Sequence, residues 1–334
     1  MKSSSKTGFT IVELLVVIVI IGILAAITIV SYTGVTSKAN VASLNSDLSN
    51  ASQQLKLFQV ENTNSNYPTT IDCTGDTATN KCLKSSTNTT YDYKSDTNPK
   101  SFCLTATKSN QSYNIDQDNT ILAGPCPVLN LDASNSLSYS GTGSTWYDLS
   151  GNGNDGAMNG GVTYGSGNGG VMGFDGVSGY VDTGMTNSFS QFSVSTWFYT
   201  TSFSGEKGII TKYTSGFSNG NWTLQLSGSV LLWDINDGVQ KSYTFPLAAN
   251  TWYYAVGTYD NAGGANNGKL YVNGLLRGTF SANAMALNSD KINVGKASTG
   301  LFNGYMSNAR IYTSVLLADE ILQSFNNQKG RYGL

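Results

Sequence analysis

Residues 7–30 read TGFTIVELLVVIVIIGILAAITIV, and Glu13 is the only charge between Lys6 and Lys38. From Leu14 to Val30 the run is long and apolar enough to enter a bilayer. An ionisable group in hydrocarbon costs at least about 2.5 kcal/mol on insertion scales and normally has a partner there. The leader MKSSSKTG carries two lysines and no hydrophobic core of its own. A secretory signal places its small-residue cleavage site after the apolar region. Here the small residue, Gly8, lies before it, so cutting there leaves the membrane run attached and makes Phe9 the new N-terminus. Glu13 then becomes the fifth residue of the mature chain.

This arrangement, KTG followed by FTIVELLVVIVIIGILAA, resembles the type IV prepilin signal. The resemblance covers residues 1 to about 60. It implies a membrane prepilin peptidase that cuts after Gly8 and methylates the Phe9 amine. It also implies that the Glu13 carboxylate meets the α-amine of a neighbouring subunit's Phe9 in the filament core, which fixes the axial register of the helices. Val41, Leu44, Leu48, Ala51, Leu55 and Phe58 continue the helix with spacings of three and four, a stripe for packing on a head or another helix. A continuous helix over 9–60 is about 78 Å long at ~1.5 Å per residue, with Gly22 and Gly34 as its weak points. NTNSNYPTT (62–70) ends it.

The chain has 334 residues, enough for two folded domains at about 150 residues each. Charged residues make up 12 %, against roughly 25 % in typical soluble domains, and Gly, Ser, Thr and Asn take their place. Such a surface is uncharged, polar and rich in turns. The net charge of −2 steers nothing, and beyond residue 127 the 12 acidic and 10 basic side chains are scattered singly, so no nucleic-acid footprint is present. There is no histidine, the commonest general base and metal ligand.

Cys73, Cys82, Cys103 and Cys126 lie together in residues 61–127. Their even number, their clustering and the membrane run upstream favour disulfides outside the cytoplasm. Four cysteines allow three pairings, among which sequence does not choose; we favour the sequence-local set, Cys73 with Cys82 and Cys103 with Cys126. YDYKS, SFCLTATKS and QSYNIDQ alternate as short strands. With the later GPC they resemble the disulfide-closed sheet of a pilin head.

From Leu129 short strand-like runs alternate with Gly, Asn and Ser turns, the pattern of an antiparallel sandwich or jelly roll. Asn273-Gly274, between KLYV and LLRG, suits a type I′ hairpin turn. In LLADEILQSFNN, Leu316, Ile321 and Phe325 predict one short helix. The ordered phrases YDLSGNGNDG (147–156), FDGVSGYVDTG (174–184), FSVSTWFY (192–199), TWYYAVGTYD (251–260), GKLYVNGLLRG (268–278) and LFNGYMSNARIYTSVLLADEI (301–321) resemble the LamG-like, concanavalin A-like jelly roll over about 200 residues. The expected layout is a leader (1–8), a pilin helix (9–60), a small head (61–127) and a jelly roll (128–334). The fold class is mainly β with one long N-terminal helix.

Enzymes of the wider fold carry an acid–base pair of glutamates on one strand, as E-x-D-x-x-E, whose first two carboxylates, two residues apart, share a face. Beyond residue 127 the glutamates are Glu206 and Glu320, and DIND (234–237) lacks the spacing, so we expect no enzyme. Calcium takes six to eight oxygens, and Asp148, Asn152, Asn154, Asp155 and Asp175 are its candidate ligands. The same residues equally suit Asx turns and Gly-permitted bends, and Asn308 stands where such domains often have an acid. Trp146, Tyr213, Trp222 and Trp233 are the candidates for stacking on sugars. Together these readings predict a single-pass protein with its N-terminus cytoplasmic before assembly and its mature domain at the cell surface. There it is a pilus or pseudopilus subunit, partnered by other pilins and displaying a binding domain for a surface glycan or protein. The alternatives are a jelly roll that serves only as a spacer, and an anchored glycan hydrolase.

Overall fold

The computed structural model describes residues 11–98, 100–213, 216–298 and 300–334, with the side chains of 29–34 left aside. One uninterrupted helix, α1 (Ile11–Glu61), runs 51 residues, about 77 Å at ~1.5 Å per residue. Neither Gly22 nor Gly34 breaks it. The first half, Ile11–Thr28, is long and apolar enough to cross a membrane and is exposed among the described residues. In the second half Leu44, Leu48, Ala51 and Leu55 are fully buried. The three- and four-residue stripe thus faces the chain's own head.

That head is an antiparallel meander of β1 (Thr90–Thr97), β2 (Lys100–Lys108), β3 (Gln111–Asp116) and β4 (Ile121–Ala123). Phe102, Leu104, Ala106 and Ile115 meet the helix stripe, with Tyr67 and Leu83 closing the cluster. Disulfides join Cys73 to Cys82 and Cys103 to Cys126, the sequence-local set. A small core with a single sheet needs such staples.

The remaining strands, in chain order, begin with β5 (Leu129–Asp132), β6 (Thr145–Trp146), β7 (Gly156–Asn159), β8 (Val162–Gly165), β9 (Val171–Asp175), β10 (Tyr180–Asp182) and β11 (Gln191–Thr200). They continue with β12 (Glu206–Lys212), β13 (Trp222–Ser227), β14 (Val230–Asn236), β15 (Gln240–Pro246) and β16 (Thr251–Asp260). β17 (Gly268–Val272), β18 (Leu275–Phe280), β19 (Ile292–Val294), the short pair β20 (Lys296–Ala297) and β21 (Gly300–Leu301), and β22 (Asn303–Tyr312) complete them. One sheet has the order β15-β14-β13-β12-β19-β10-β7-β6 and the other β18-β17-β16-β11-β22-β9-β8, with β5 also on β22. Every strand pair is antiparallel. This is an antiparallel β-sandwich.

Strand alternation sets what lies between the sheets. On β11, Phe192, Val194 and Phe198 enter the main core, where Phe192 lies within 5.0–5.8 Å of Trp222, Trp233 and Tyr259. A Cβ on Gly257 would meet the Trp233 ring at 2.5 Å, so the tryptophan fits only over a glycine. The hairpin at Asn273-Gly274 has φ of 53° and 78°, as a type I′ turn requires. Trp197, on the other face of β11, belongs to a second cluster under α2 (Ala318–Gln328) and the 3₁₀ turn Lys329–Tyr332. It stacks on Tyr332 at 4.0 Å and on Phe325 at 5.7 Å. Leu316 and Ile321 seat the helix, and Glu320 starts it by accepting the Leu317 N–H at 2.8 Å.

Candidate functional site

Gly8 and Phe9 lie outside the described residues. Glu13 stands in the first turn of α1, where a carboxylate complements the helix dipole. Further along, the Thr28 hydroxyl donates back to Leu24 O and Ala25 O at 3.0 and 2.9 Å, so the apolar span satisfies its own polar group.

In the 148–155 loop the candidate calcium ligands are engaged largely with the chain itself. The Asp148 carboxylate is fully buried and accepts the N–H groups of Asn130, Ser150 and Asn154 at 2.8–3.0 Å, and the Ser150 hydroxyl at 2.7 Å. Asp155 accepts the Asp148 N–H at 2.8 Å. The Asn154 amide donates to Val128 O and the Asn152 amide to Ser150 Oγ. Asp175 gathers the N–H groups of Val177, Ser178 and Gly179 in a turn of its own, which holds its carboxyl well below the usual range. Donors thus occupy the Asp148 and Asp175 carboxylates, which act as Asx-type hubs of their own turns.

The tryptophan candidates are corrected. Trp146, Trp222 and Trp233 are at most 1 % exposed and fill the main core, so none offers a ring to a ligand. Tyr213 is half-buried, edge-on to Phe217 at 5.4 Å.

Aromatic surface lies elsewhere. On the outer face of the β11-containing sheet, Tyr199 is paired directly with Trp252 on β16 and with Tyr305 on β22. Ring centroids are 5.6 and 6.0 Å apart along this row. The row shares its face with Trp197 and Tyr254 but lies beyond the cover of α2. Tyr305 is 43 % exposed, and Tyr199 and Trp252 are half-buried. With Gly165, Gly167, Asn168 and Val171 the three rings line an open cleft of about 440 Å³. The signal in the sequence was alternation: Tyr199 is two residues beyond Trp197 and Trp252 two before Tyr254. Which end of that face stays uncovered is a tertiary matter.

The scan against protein families matches residues 3–29 to the prokaryotic N-terminal methylation motif and residues 175–322 to the concanavalin A-like lectin/glucanases superfamily. The chain joins a prepilin-type methylation motif to a concanavalin A-like domain. Over 70 residues it is 39 % identical to type II secretion system core protein G of Klebsiella michiganensis, a match covering 21 % of this chain and 48 % of that protein. The match thus spans about half the length of that relative. Among solved structures, the receptor-binding domain of botulinum neurotoxin type G aligns at TM-score 0.47 and 18 % identity, covering 60 % of this chain and 51 % of that one. Domain 4 of the arabinanase AbnA from Geobacillus stearothermophilus, in complex with arabinotriose, aligns at TM-score 0.47 and 19 % identity, covering 59 % and 96 %.

The lectin-like domain also carries a polar row across its other sheet, buried from Asn293 to Asp234 and open to solvent at Ser242. Asp182, Asn293, Thr211, Thr223, Asp234 and Ser242 oppose one another on six adjacent strands. Burial pushes Asp234 up to about 7. In the pilin-like head, burial and then the neighbouring Asp118 push Asp116 up to about 6. Both carboxyls keep protons in the folded chain at a pH where the unfolded chain, with an Asp pKa of about 4, has released them. Between about pH 4 and 7 the native state binds more protons, so this contribution makes stability fall as pH rises. The melting temperature is expected to be higher at pH 5 than at pH 8. Asp234→Asn should flatten the upper part of the slope, and an equally steep slope in that variant would count against the assignment.

Proposed function

We propose that this chain is a filament subunit of the type IV pilus or pseudopilus kind that displays a lectin-like domain and adheres through it to a surface glycan or protein. The observation that carries the reading is α1: one unbroken helix, exposed and apolar over Ile11–Thr28 and docked on its own head from Leu44 to Leu55. The first half is available to a membrane and then to other helices, and the second half holds the head and the sandwich outside. The methylation motif supports processing by a prepilin peptidase, with the N-terminus cytoplasmic before assembly. Binding is favoured over catalysis, since the chain has no histidine and Glu320 is committed to starting α2.

Mass spectrometry of surface filaments sheared from cells is the direct test. The mature chain is expected there beginning at Phe9 with a methylated amine. Gly8→Leu should leave unprocessed precursor in the membrane and remove the chain from the filaments. Full-length precursor in assembled filaments would overturn the reading.

A further inference from the structure

We propose that the cleft between Tyr199, Trp252 and Tyr305 and the 165–171 turn binds an uncharged glycan chain, by stacking sugar rings on the aromatic row. The inference rests on the lectin-like reading above and assigns it a site and a ligand class. Three aromatic residues directly opposed on adjacent strands make one row along the sheet. Sugar rings present an apolar C–H face and a rim of hydroxyls, and Tyr and Trp offer an apolar body with a polar tip. The volume of about 440 Å³ falls within the range of small-ligand sites.

Charge selects the ligand class. Among the described residues that line the cleft none is charged. The guanidinium of Arg331, behind the Asn168 wall, is consumed by that wall. Its Nη2 donates to Gly170 O at 3.0 Å and to Ser307 Oγ at 2.7 Å, and its Nε donates to Asn168 O. Asn168, at φ 50°, returns a bond from its amide to Arg331 O at 2.9 Å. The C-terminal turn thus clamps the wall in place before any ligand arrives, which lowers the ordering cost of binding. An anionic sugar or an acidic peptide would find no counter-charge here, and a basic one no carboxylate. The Tyr199 hydroxyl, donating to Asn250 Oδ1 at 3.2 Å, still has lone pairs with which to accept from a sugar hydroxyl.

The test uses the full-length chain solubilised in detergent, so that its outcome does not depend on filament assembly. Retention on immobilised neutral polysaccharides, sialylated glycans and a peptide library is compared, with tryptophan fluorescence followed during titration by neutral oligosaccharides. Retention by at least one neutral polysaccharide is expected, with a change in Trp252 emission. Tyr305→Ala should weaken it about tenfold, the scale of one lost ring contact, without lowering the melting temperature. Tyr305→Phe should keep most of the binding, and Leu287→Ala, remote and 84 % exposed, should keep all of it. Failure to hold any neutral glycan, preference for sialylated glycans or peptides, or unchanged binding by Tyr305→Ala overturns the assignment. Glycan binding by a chain that never enters filaments would instead overturn the filament reading and leave the cleft standing.

Discussion

Glu13→Val is expected to leave the chain in the membrane and remove it from assembled filaments. The substitution deletes the one charge of the apolar span, so insertion is unimpaired or improved. Assembly is a different matter. On the filament reading proposed above, the amine at Phe9 would be buried beside the Glu13 carboxylate of another subunit. Breaking a buried pair from one side costs about 3–5 kcal/mol, because the remaining charge stays desolvated. At about 1.4 kcal/mol per decade that is a loss of at least a hundredfold in incorporation. Immunoblots of membrane and sheared-filament fractions measure both halves of the prediction. Normal amounts of the variant in filaments would refute the register role of Glu13.

A second large effect is expected at Lys212. Its side chain is fully buried at the end of β12. The ammonium donates to the carbonyls of Thr186, Asn288 and Asp290 at 3.0, 3.1 and 2.8 Å, spending all three protons on backbone. The loop after β10 and the loop before β19 are thereby both tied to the end of β12. Asn221 adds a second tie by donating to Asp290 Oδ2 at 2.7 Å. Burial lowers the pKa of Lys212, and Asp290 partly offsets that. Lys212→Met keeps the volume but strands three carbonyls, each costing about 1–3 kcal/mol unless water reaches it. We expect a loss of about 3–5 kcal/mol and a melting temperature lower by roughly 10 °C, at about 2–4 °C per kcal/mol for a domain of this size. A variant that melts within about 2 °C of the parent would show that these loops hold without the ammonium.

Much of this architecture was legible because it is written in local patterns. The apolar run and the three- and four-residue stripe specify α1 whatever surrounds them, since helix faces follow from a fixed period. Alternation marked β1, β2 and β3, and Asn273-Gly274 marked its hairpin through its positive φ values. Leu316, Ile321 and Phe325 placed α2. The spacing of the cysteines allowed three pairings, and it took the meander to bring Cys103 on β2 beside Cys126.

The candidate site was not legible in the same way. Alternation divides a strand's side chains into two faces but carries no information about what covers each face. Trp197 and Tyr199, or Tyr254 and Trp252, share one face. Only the packing of α2 and the Lys329–Tyr332 turn buries the first of each pair and leaves the second partly open. Trp146, Trp222 and Trp233 went inward because the sandwich core needed their volume. Asp148 became a hub because donors from Asn130, Ser150 and Asn154 converge on it across 24 positions of sequence. The sequence by itself determined the helix, the strands and their turns, through periods a few residues long. The tertiary structure alone decided which aromatic rings meet solvent and which carboxylates meet amides, because both depend on surfaces brought together by packing, from within one loop for Asp148 to more than a hundred residues apart for Trp197 and Tyr332.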